Sequence, residues 1–556
     1  MNKFGYLFEA RGIQRFLFAT GKLKDMVDGS ELIDFICGSG GYLDQVLDSL
    51  SLDPIIVRKA GGVFYLVFER EEDAQRLQNV WRLAAARWFP TLECVDALAS
   101  GDSVREVIQQ GLRLLAQNRN VMQADLPAAS PLAARSPRTG LAAISHEHGE
   151  SLDAATTAIR QFERPKGSKC VTDRFLKESG INWPKNFESN AQSSDRFPLG
   201  QRKLIALIHA DGNNLGVILR ILNDACQNAT DKVYVTLYKF FSRAVTNATI
   251  KAAREACAQV IRDQAQDHVL PARPLVLGGD DLSLIVRADL AVAFTQVFLA
   301  AFKRHSRDEI SVLKALFVKH DMEEASRKLP DCLTACAGIV YIKASQPFYS
   351  AYAVAEELCK RAKAAAKPLQ TEGQIVPSAL SFYKVSDSLL NGLDTMLEQT
   401  QSAQHEHNGQ RCDYQLGVDC YRIDGDETEQ LPLLDDLHEL IQRLTSGDTE
   451  LNDRGLRELT TLLHTDLHLA KQTYLRWVQH ANNQSQQKQS EQKQWNHITA
   501  VDAFKRQLET LIGPLKDDLP VALKAGSSTQ YQTVLSDLLA LLVVAQEAPF
   551  KQGEMA

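Results

Sequence analysis

The 556-residue sequence is poor in cysteine, with 10 residues in all and none in a CxxC pair. That spacing offers neither a disulfide framework nor a zinc ribbon, and a reducing cytoplasm is the expected compartment. Cys332 and Cys336, the closest pair, fall in a β-branched stretch and read as small core residues. Long apolar runs are missing too. The longest, 538–545, is far short of the roughly 20 residues that span a bilayer, so no membrane partner is expected and the run reads as a buried helix. Residues 1–10 carry no basic segment followed by an apolar core, so no secretory signal is expected. A basic excess is also absent: 62 Lys+Arg stand against 69 Asp+Glu, a formal net charge of −7. The electrostatic footprint of a whole-chain nucleic-acid binder is lacking, and any RNA contact has to come from local basic patches.

What is present has the composition of a large globular protein. A 44% hydrophobic and 24% charged content excludes global disorder. At about 150 residues per domain the length predicts three or four units. The organising feature is an internal echo. Residues 4–9 read as a strand, 12–47 as mainly helix, 54–59 and 63–69 as two strands around Gly61-Gly62, 71–88 as helix and 91–97 as strand. The order βαββαβ returns in the middle of the chain. There the strand 204–210 is followed by helix to about 264, strands 274–277 and 282–286 around Gly278-Gly279-Asp280-Asp281, helix 290–303, strand 333–342 and helix 349–366. Two split βαβ units predict an α+β fold with two ferredoxin-like domains. The first is placed at 1–120 and the second at 201–386, with an aperiodic insert or linker at 121–200. An α-helical C-terminal domain is predicted for 387–556. Leu433, Leu437, Leu440, Ile441 and Leu444 share one helical face there, as do Leu456, Leu459 and Leu463. The polar stretch 479–494 reads as a solvated helix end or loop.

The second unit carries the chemistry. Its first strand ends in Asp211-Gly212-Asn213-Asn214-Leu215-Gly216, and its hairpin carries Asp280 and Asp281. In a βαββαβ sheet these segments are neighbours, so Asp211, Asp280 and Asp281 are expected to converge. Three converging carboxylates repel and are stable chiefly around cations. Oxygen-only ligands favour Mg²⁺ or Mn²⁺, and a two-metal site activates a hydroxyl and neutralises a leaving pyrophosphate. Gly278 and Gly279 permit a tight turn and close approach of a nucleotide, while Gly212 opens a helix N-terminus suited to phosphate. Each piece alone has a plainer reading: a hairpin turn, or a helix cap at Asp211. Their coincidence on one predicted sheet favours chemistry.

These motifs resemble the Cas10/Cmr2 family, the large subunits of type III CRISPR complexes, related to GGDEF cyclases and palm polymerases. Residues 274–286 resemble that family's palm hairpin, 210–216 (ADGNNLG) its ADGD-x-x-G motif, and 335–363 the following strand and helix. Residues 12–32 resemble its N-terminal palm segment, and Gly61-Gly62-Val63-Phe64 takes the hairpin place of a degenerate first palm. The resemblance implies a nucleotidyltransferase that joins ATP 3′–5′ into cyclic oligoadenylate, a second messenger of antiviral defence read by a downstream effector. It implies Asp211, Asp280 and Asp281 as catalytic metal ligands. Nucleotide contacts are implied at Gly212, Asn213, Asn214, Gly278, Gly279 and Lys363, and on the first palm at Ser30, Gly61 and Gly62. Lys363 also reads as a plain helix C-terminal cation. Partners implied are ATP and the subunits of an RNA-guided complex. Asn213 departs from the family motif, which often has a second Asp there. No HD nuclease segment is expected before the first palm. The zinc cysteines common between the palms are missing: only Cys170 lies between Arg119 and Gly200, and His146 and His148 read as solvated. A scaffold with a drifted palm site, or a GGDEF-like cyclic dinucleotide synthase, are the alternatives.

Overall fold

The computed structural model describes residues 2–121, 132–165, 168–176, 180–187, 192–370, 375–386, 392–407, 410–424, 431–445, 453–492 and 500–548. The first unit runs β1 (Lys3–Arg11), α1 (Ile13–Phe18), α2 (Leu23–Cys37), α3 (Tyr42–Leu50), β2 (Ile55–Ala60), β3 (Val63–Phe68), α4 (Glu71–Trp88), β4 (Glu93–Gly101) and α5 (Val104–Asn118). Its sheet order, β2-β3-β1-β4 with every pair antiparallel, is that of a split βαβ unit. The alternation along β1 sorts two packed faces. Tyr6, Phe8 and Ala10 join Met26, Leu32 and Trp81, whereas Leu7 joins Tyr65, Val67 and Val107 on the other side.

The segment between the two units has structure of its own. It folds a hairpin of β5 (Ala143–Glu147) and β6 (Glu150–Asp153), then α6 (Ala154–Gln161) and a one-turn helix Thr172–Arg174. Arginines dock it on α2: Arg160 pairs with Asp25 at 2.8 Å, and Arg164 with Glu31 and Asp34 at 2.9 Å. Its weak periodicity reflects a segment held by these ion pairs together with scattered buried side chains, Ile159, Val171 and Phe175 among them, that follow no repeat. His146 and His148 are exposed, as expected.

The second unit comprises β7 (Leu204–Gly212), α7 (Leu215–Ala225), α8 (Asp231–Ala256), β8 (Ala272–Gly278), β9 (Asp281–Arg287), α9 (Ala291–Lys319), α10 (Glu323–Lys328), β10 (Ala335–Lys343), α11 (Phe348–Ala366) and β11 (Ala379–Lys384). The core order β10-β7-β9-β8 repeats that of the first sheet, and β11 extends it by pairing parallel to β10. Helix α9 runs well past the expected end at 303 because Phe302, Ile310, Leu313 and Phe317 keep its buried stripe going. The two units pack reciprocally. Helix α2 of the first lies against β8 of the second, and α8 of the second lies against β2 of the first.

The C-terminal region is mainly helical but not purely so. After α12 (Leu393–Gln401), β12 (Ser402–His407) and β13 (Gln410–Gln415) form a hairpin, and β14 (Tyr421–Arg422) adds to the second palm-like sheet. Helices α13 (Leu434–Thr445), α14 (Asp453–Thr465), α15 (Leu467–Gln492) and α16 (Ala500–Ile512) follow, with β15 (Ala522–Leu523), β16 (Gln530–Gln532) and α17 (Leu535–Ala545). Strands β15 and β16 complete a small sheet, β12-β13-β16-β15, that the helical reading of this region missed. Its strands are short and scattered over more than a hundred residues, so no local alternation marks them. Leu434, Leu437, Leu440, Leu456, Leu459 and Leu463 are buried; Leu434 takes the core place expected of Leu433. The apolar run at 538–545 lies in α17 with Leu538, Leu541 and Leu542 buried, as expected of a core helix. Most of the polar stretch 479–494 continues α15; residues 493–499 lie outside the described residues. Among the described residues no helix is long and apolar enough to cross a membrane.

Candidate active site

Register brings the acids together. Gly278 pairs with Asp281 across a two-residue turn in which Gly279 has φ +61°. Only the first turn position is left-handed, so the second accepts a side chain, and Asp280 occupies it. Strand β9 pairs with β7 as far as Ala210↔Leu282, and continuing that register one step sets Asp211 against Asp281. Carboxylate oxygens of Asp211, Asp280 and Asp281 lie within 4.8 Å of one another. Gly212 makes this approach possible: a Cβ there would meet the Cβ of Asp280 at 2.9 Å. It thus ends β7 under the hairpin. The turn is held from below by Thr249 on α8, whose hydroxyl donates to the Gly279 carbonyl at 2.7 Å.

Helix α11 supplies the cation. Gly338 lets it lie directly on β10, since a Cβ at that position would meet the Ala355 carbonyl at 2.0 Å. From the last turn of α11, Lys363 donates to Asp211 and, at 2.8 Å, to the Gly212 carbonyl. The three carboxylates respond differently. Burial drives Asp280 up to about 7, and the charge of Asp211 adds to the effect. Burial and the charge of Asp280 push Asp281 well above the usual carboxylate range. Burial also acts on Asp211, but hydrogen bonding from Asp280 and the Lys363 ammonium outweigh it and hold its pKa below the ordinary value. The cluster therefore retains protons that a divalent cation would displace. An all-oxygen donor set of buried, mutually repelling carboxylates fits Mg²⁺ or Mn²⁺.

The remaining expected positions scatter. Asn213 is buried and turned towards β10, where its amide donates to the Thr334 hydroxyl at 3.0 Å and its backbone N–H to the Thr334 carbonyl at 2.8 Å. Asn214, left-handed at φ +59°, precedes α7 and bonds Gln370 at 3.2 Å. Gly278 and Gly279 have open space above them. Ser30 is buried in α2 and its hydroxyl donates to the Leu275 carbonyl of β8, so it braces the contact between the two units. Gly61 and Gly62 form the turn of the first unit, with φ +56° and +80°. They lie on a different sheet from the triad.

Sequence reasoning missed Thr249, and also His209, Ser283 and Tyr352. His209 and Ser283 pair across β7 and β9 two residues behind Asp211 and Asp281, and the Tyr352 hydroxyl approaches His209 Nδ1 at 3.1 Å. The period-2 alternation from Asp211 back to His209 was the available signal; Thr249, inside a long helix, left none.

Residues 204–368 match the family model of the Cas10/Cmr2 second palm domain. Among solved structures the chain is similar to a Csm1–Csm4 cassette in complex with pppApA, at 12% identity over 99% of this chain and 70% of that chain, with a TM-score of 0.48. For a Csm1–Csm4 cassette in complex with cA4 the values are 12%, 68%, 55% and 0.36. For Csm1 of T. onnurineus they are 12%, 97%, 70% and 0.43. No curated protein matches the sequence.

Proposed function

For this Cas10/Cmr2-like chain we propose nucleotidyl transfer at the second palm, joining ATP into cyclic oligoadenylate. The observation that carries the reading is the triad itself: three carboxylates within 4.8 Å, two of them forced above their ordinary pKa. Such an arrangement is costly unless it has a use, because each carboxylate raises the price of ionising the next. When bound at Asp211, Asp280 and Asp281, divalent cations supply Lewis acidity to the attacking 3′-hydroxyl and to the leaving pyrophosphate.

The chain's own groups have distinct tasks in this reaction. Asp280 and Asp281 give up their retained protons and hold negative charge at the tip of the hairpin. Open space over Gly278 and Gly279 leaves the backbone free for a triphosphate to approach. Lys363 keeps Asp211 ionised and lies close enough to exchange that partner for a phosphate oxygen, which adds charge stabilisation as the α-phosphate is attacked. Subunits of an RNA-guided complex are the proposed partners, and a cyclic-nucleotide effector the proposed consumer of the product. Ser30 belongs to the contact between the palms in this reading, and no nucleotide contact is assigned to it.

Incubating the chain with labelled ATP or GTP and Mg²⁺ or Mn²⁺, with and without added RNA, tests the proposal. Cyclic product that vanishes in Asp280→Ala/Asp281→Ala is expected. A cyclic dinucleotide would redirect the reading to a GGDEF-like synthase, and no product under any condition would leave a scaffold.

A further inference from the structure

Strand β8 carries the hairpin of the acidic triad, yet it is the free edge of its sheet. Closure of the turn by Gly278↔Asp281 means that the next pair back, Leu277↔Leu282, is not hydrogen-bonded across the ladder. The Leu277 carbonyl therefore faces outwards, away from β9. An outward carbonyl on an edge strand needs a donor or water. Here the donor comes from outside the second palm. Arg174, in the one-turn helix of the insert, donates through Nη1 to the Leu277 carbonyl at 2.7 Å. Its Nη2 donates to Asp34 on α2 of the first palm. Asp34 is held in turn by Arg164 at 2.9 Å, and the Arg174 carbonyl accepts from Arg254 on α8 at 3.2 Å. One turn before Asp34, Ser30 takes the outward Leu275 carbonyl in the same manner.

We propose that Arg174 is a positioning residue for the hairpin bearing Asp280 and Asp281, fixing it against the first palm through the Leu277 carbonyl and Asp34. Its catalytic meaning rests on the function proposed above; the placement of the hairpin stands on the geometry alone. Leu277 is three residues from Asp280, so a shift of the strand at this point is carried into the turn. Thr249 holds the other side of that turn, and together the two contacts fix the tip between the insert and α8. The task suits arginine specifically. A rigid planar fork fixes the directions of its bonds to the carbonyl and the carboxylate relative to each other, whereas a lysine ammonium at the end of a flexible stem reaches its acceptors without fixing their relative placement. The insert thereby becomes a part of the site, through a residue that touches none of the reacting groups.

The test uses the full chain with Arg174→Ala, Arg174→Lys and Asp34→Asn, and Lys251→Ala on the outer face of α8 as control. Deuterium uptake at residues 276–282 in metal-free protein, Mn²⁺ affinity by electron paramagnetic resonance titration, and Tm are measured on each. Expected for Arg174→Ala are faster exchange in the hairpin and at least tenfold weaker Mn²⁺ binding, with Tm within about 4 °C of the parent. Arg174→Lys falls between, Asp34→Asn moves the same way, and the control does not move. Unchanged hairpin exchange in Arg174→Ala, or an affinity loss that only tracks Tm, overturns the proposal. Should the parent chain bind no Mn²⁺, the catalytic reading fails, and hairpin exchange alone decides the positioning role. If Arg174→Ala does not fold, Arg174→Lys and Asp34→Asn carry the same comparison.

Discussion

The two palm-like units share a topology and differ in the hairpin. Equal two-residue turns align Ala60-Gly61-Gly62-Val63 with Gly278-Gly279-Asp280-Asp281. In the first unit both turn residues are left-handed, and the second of them, Gly62, sits where Asp280 stands in the other. Val63 replaces Asp281, and the register Glu9↔Val63 places Glu9 in the position of Asp211. Even the cation has a counterpart. Arg119, just past the end of α5, pairs with Glu9 as Lys363 on α11 pairs with Asp211. The first unit thus keeps one acid, which Arg119 and the nearby Arg58 more than balance, with the Tyr65 hydroxyl donating to Glu9 at 2.7 Å. The second adds two acids that its single lysine cannot balance. That surplus of carboxylate is the physical difference between a closed ion pair and a site with a use for metal.

Experiments that break the comparison rank by expected effect. Asp280→Ala/Asp281→Ala makes the second hairpin like the first, and product formation is expected to fall by at least about a thousandfold in the labelled-ATP assay. The next effect is on pH. Because burial and Asp211 raise Asp280 to about 7, ligation must displace its proton below that pH. Mn²⁺ affinity should therefore weaken steadily as pH drops from 8 to 6, which calorimetry at several pH values measures. The same raised pKa makes the metal-free fold bind more protons than the unfolded chain, so its stability should fall as pH rises from about 4 through 7. Asp280→Asn should flatten that slope in urea melts.

The cations sharpen the contrast. Lys363→Met should lower turnover about ten- to a hundredfold while tightening Mn²⁺ binding, because the surplus carboxylate charge grows. Arg119→Met should leave turnover unchanged and cost on the order of 1 kcal/mol in urea melts, since the Arg119 side chain is 42% exposed and its ion pair is screened. The smallest effect is expected in the first turn. Gly62→Ala forces a left-handed residue and brings a Cβ to 3.1 Å from that of Ala10, a loss of about 1–2 kcal/mol with activity intact. Loss of turnover in either first-palm variant would show that the closed unit still acts in the reaction.

Much of this was legible in the sequence. Short apolar runs such as 204–210 and Gly-Gly turns between apolar strands mark both βαββαβ units, because buried strands and left-handed turns each demand particular residues. Asp211, Asp280 and Asp281 converge as their positions on neighbouring strands predict. Other assignments needed packing. Ser30 and Asn213 look alike as polar residues near a motif, yet their hydroxyl and amide are consumed by Leu275 and Thr334. The insert carries weak periodicity, since its scattered buried side chains and the ionic contacts from Arg160, Arg164 and Arg174 to α2 obey no repeat.

By itself the sequence determined the strand order, the turn chemistry and which hairpin bears acids, all of which follow from local spacing and backbone preference. Tertiary structure decided which polar groups remain free to act. A hydrogen-bond partner a hundred residues away, such as Arg119 for Glu9 or Thr334 for the amide N–H of Asn213, engages a side chain in the fold. Burial did the converse for Asp280 and Asp281, raising their pKa values by enclosing like charges in a confined, poorly solvated space.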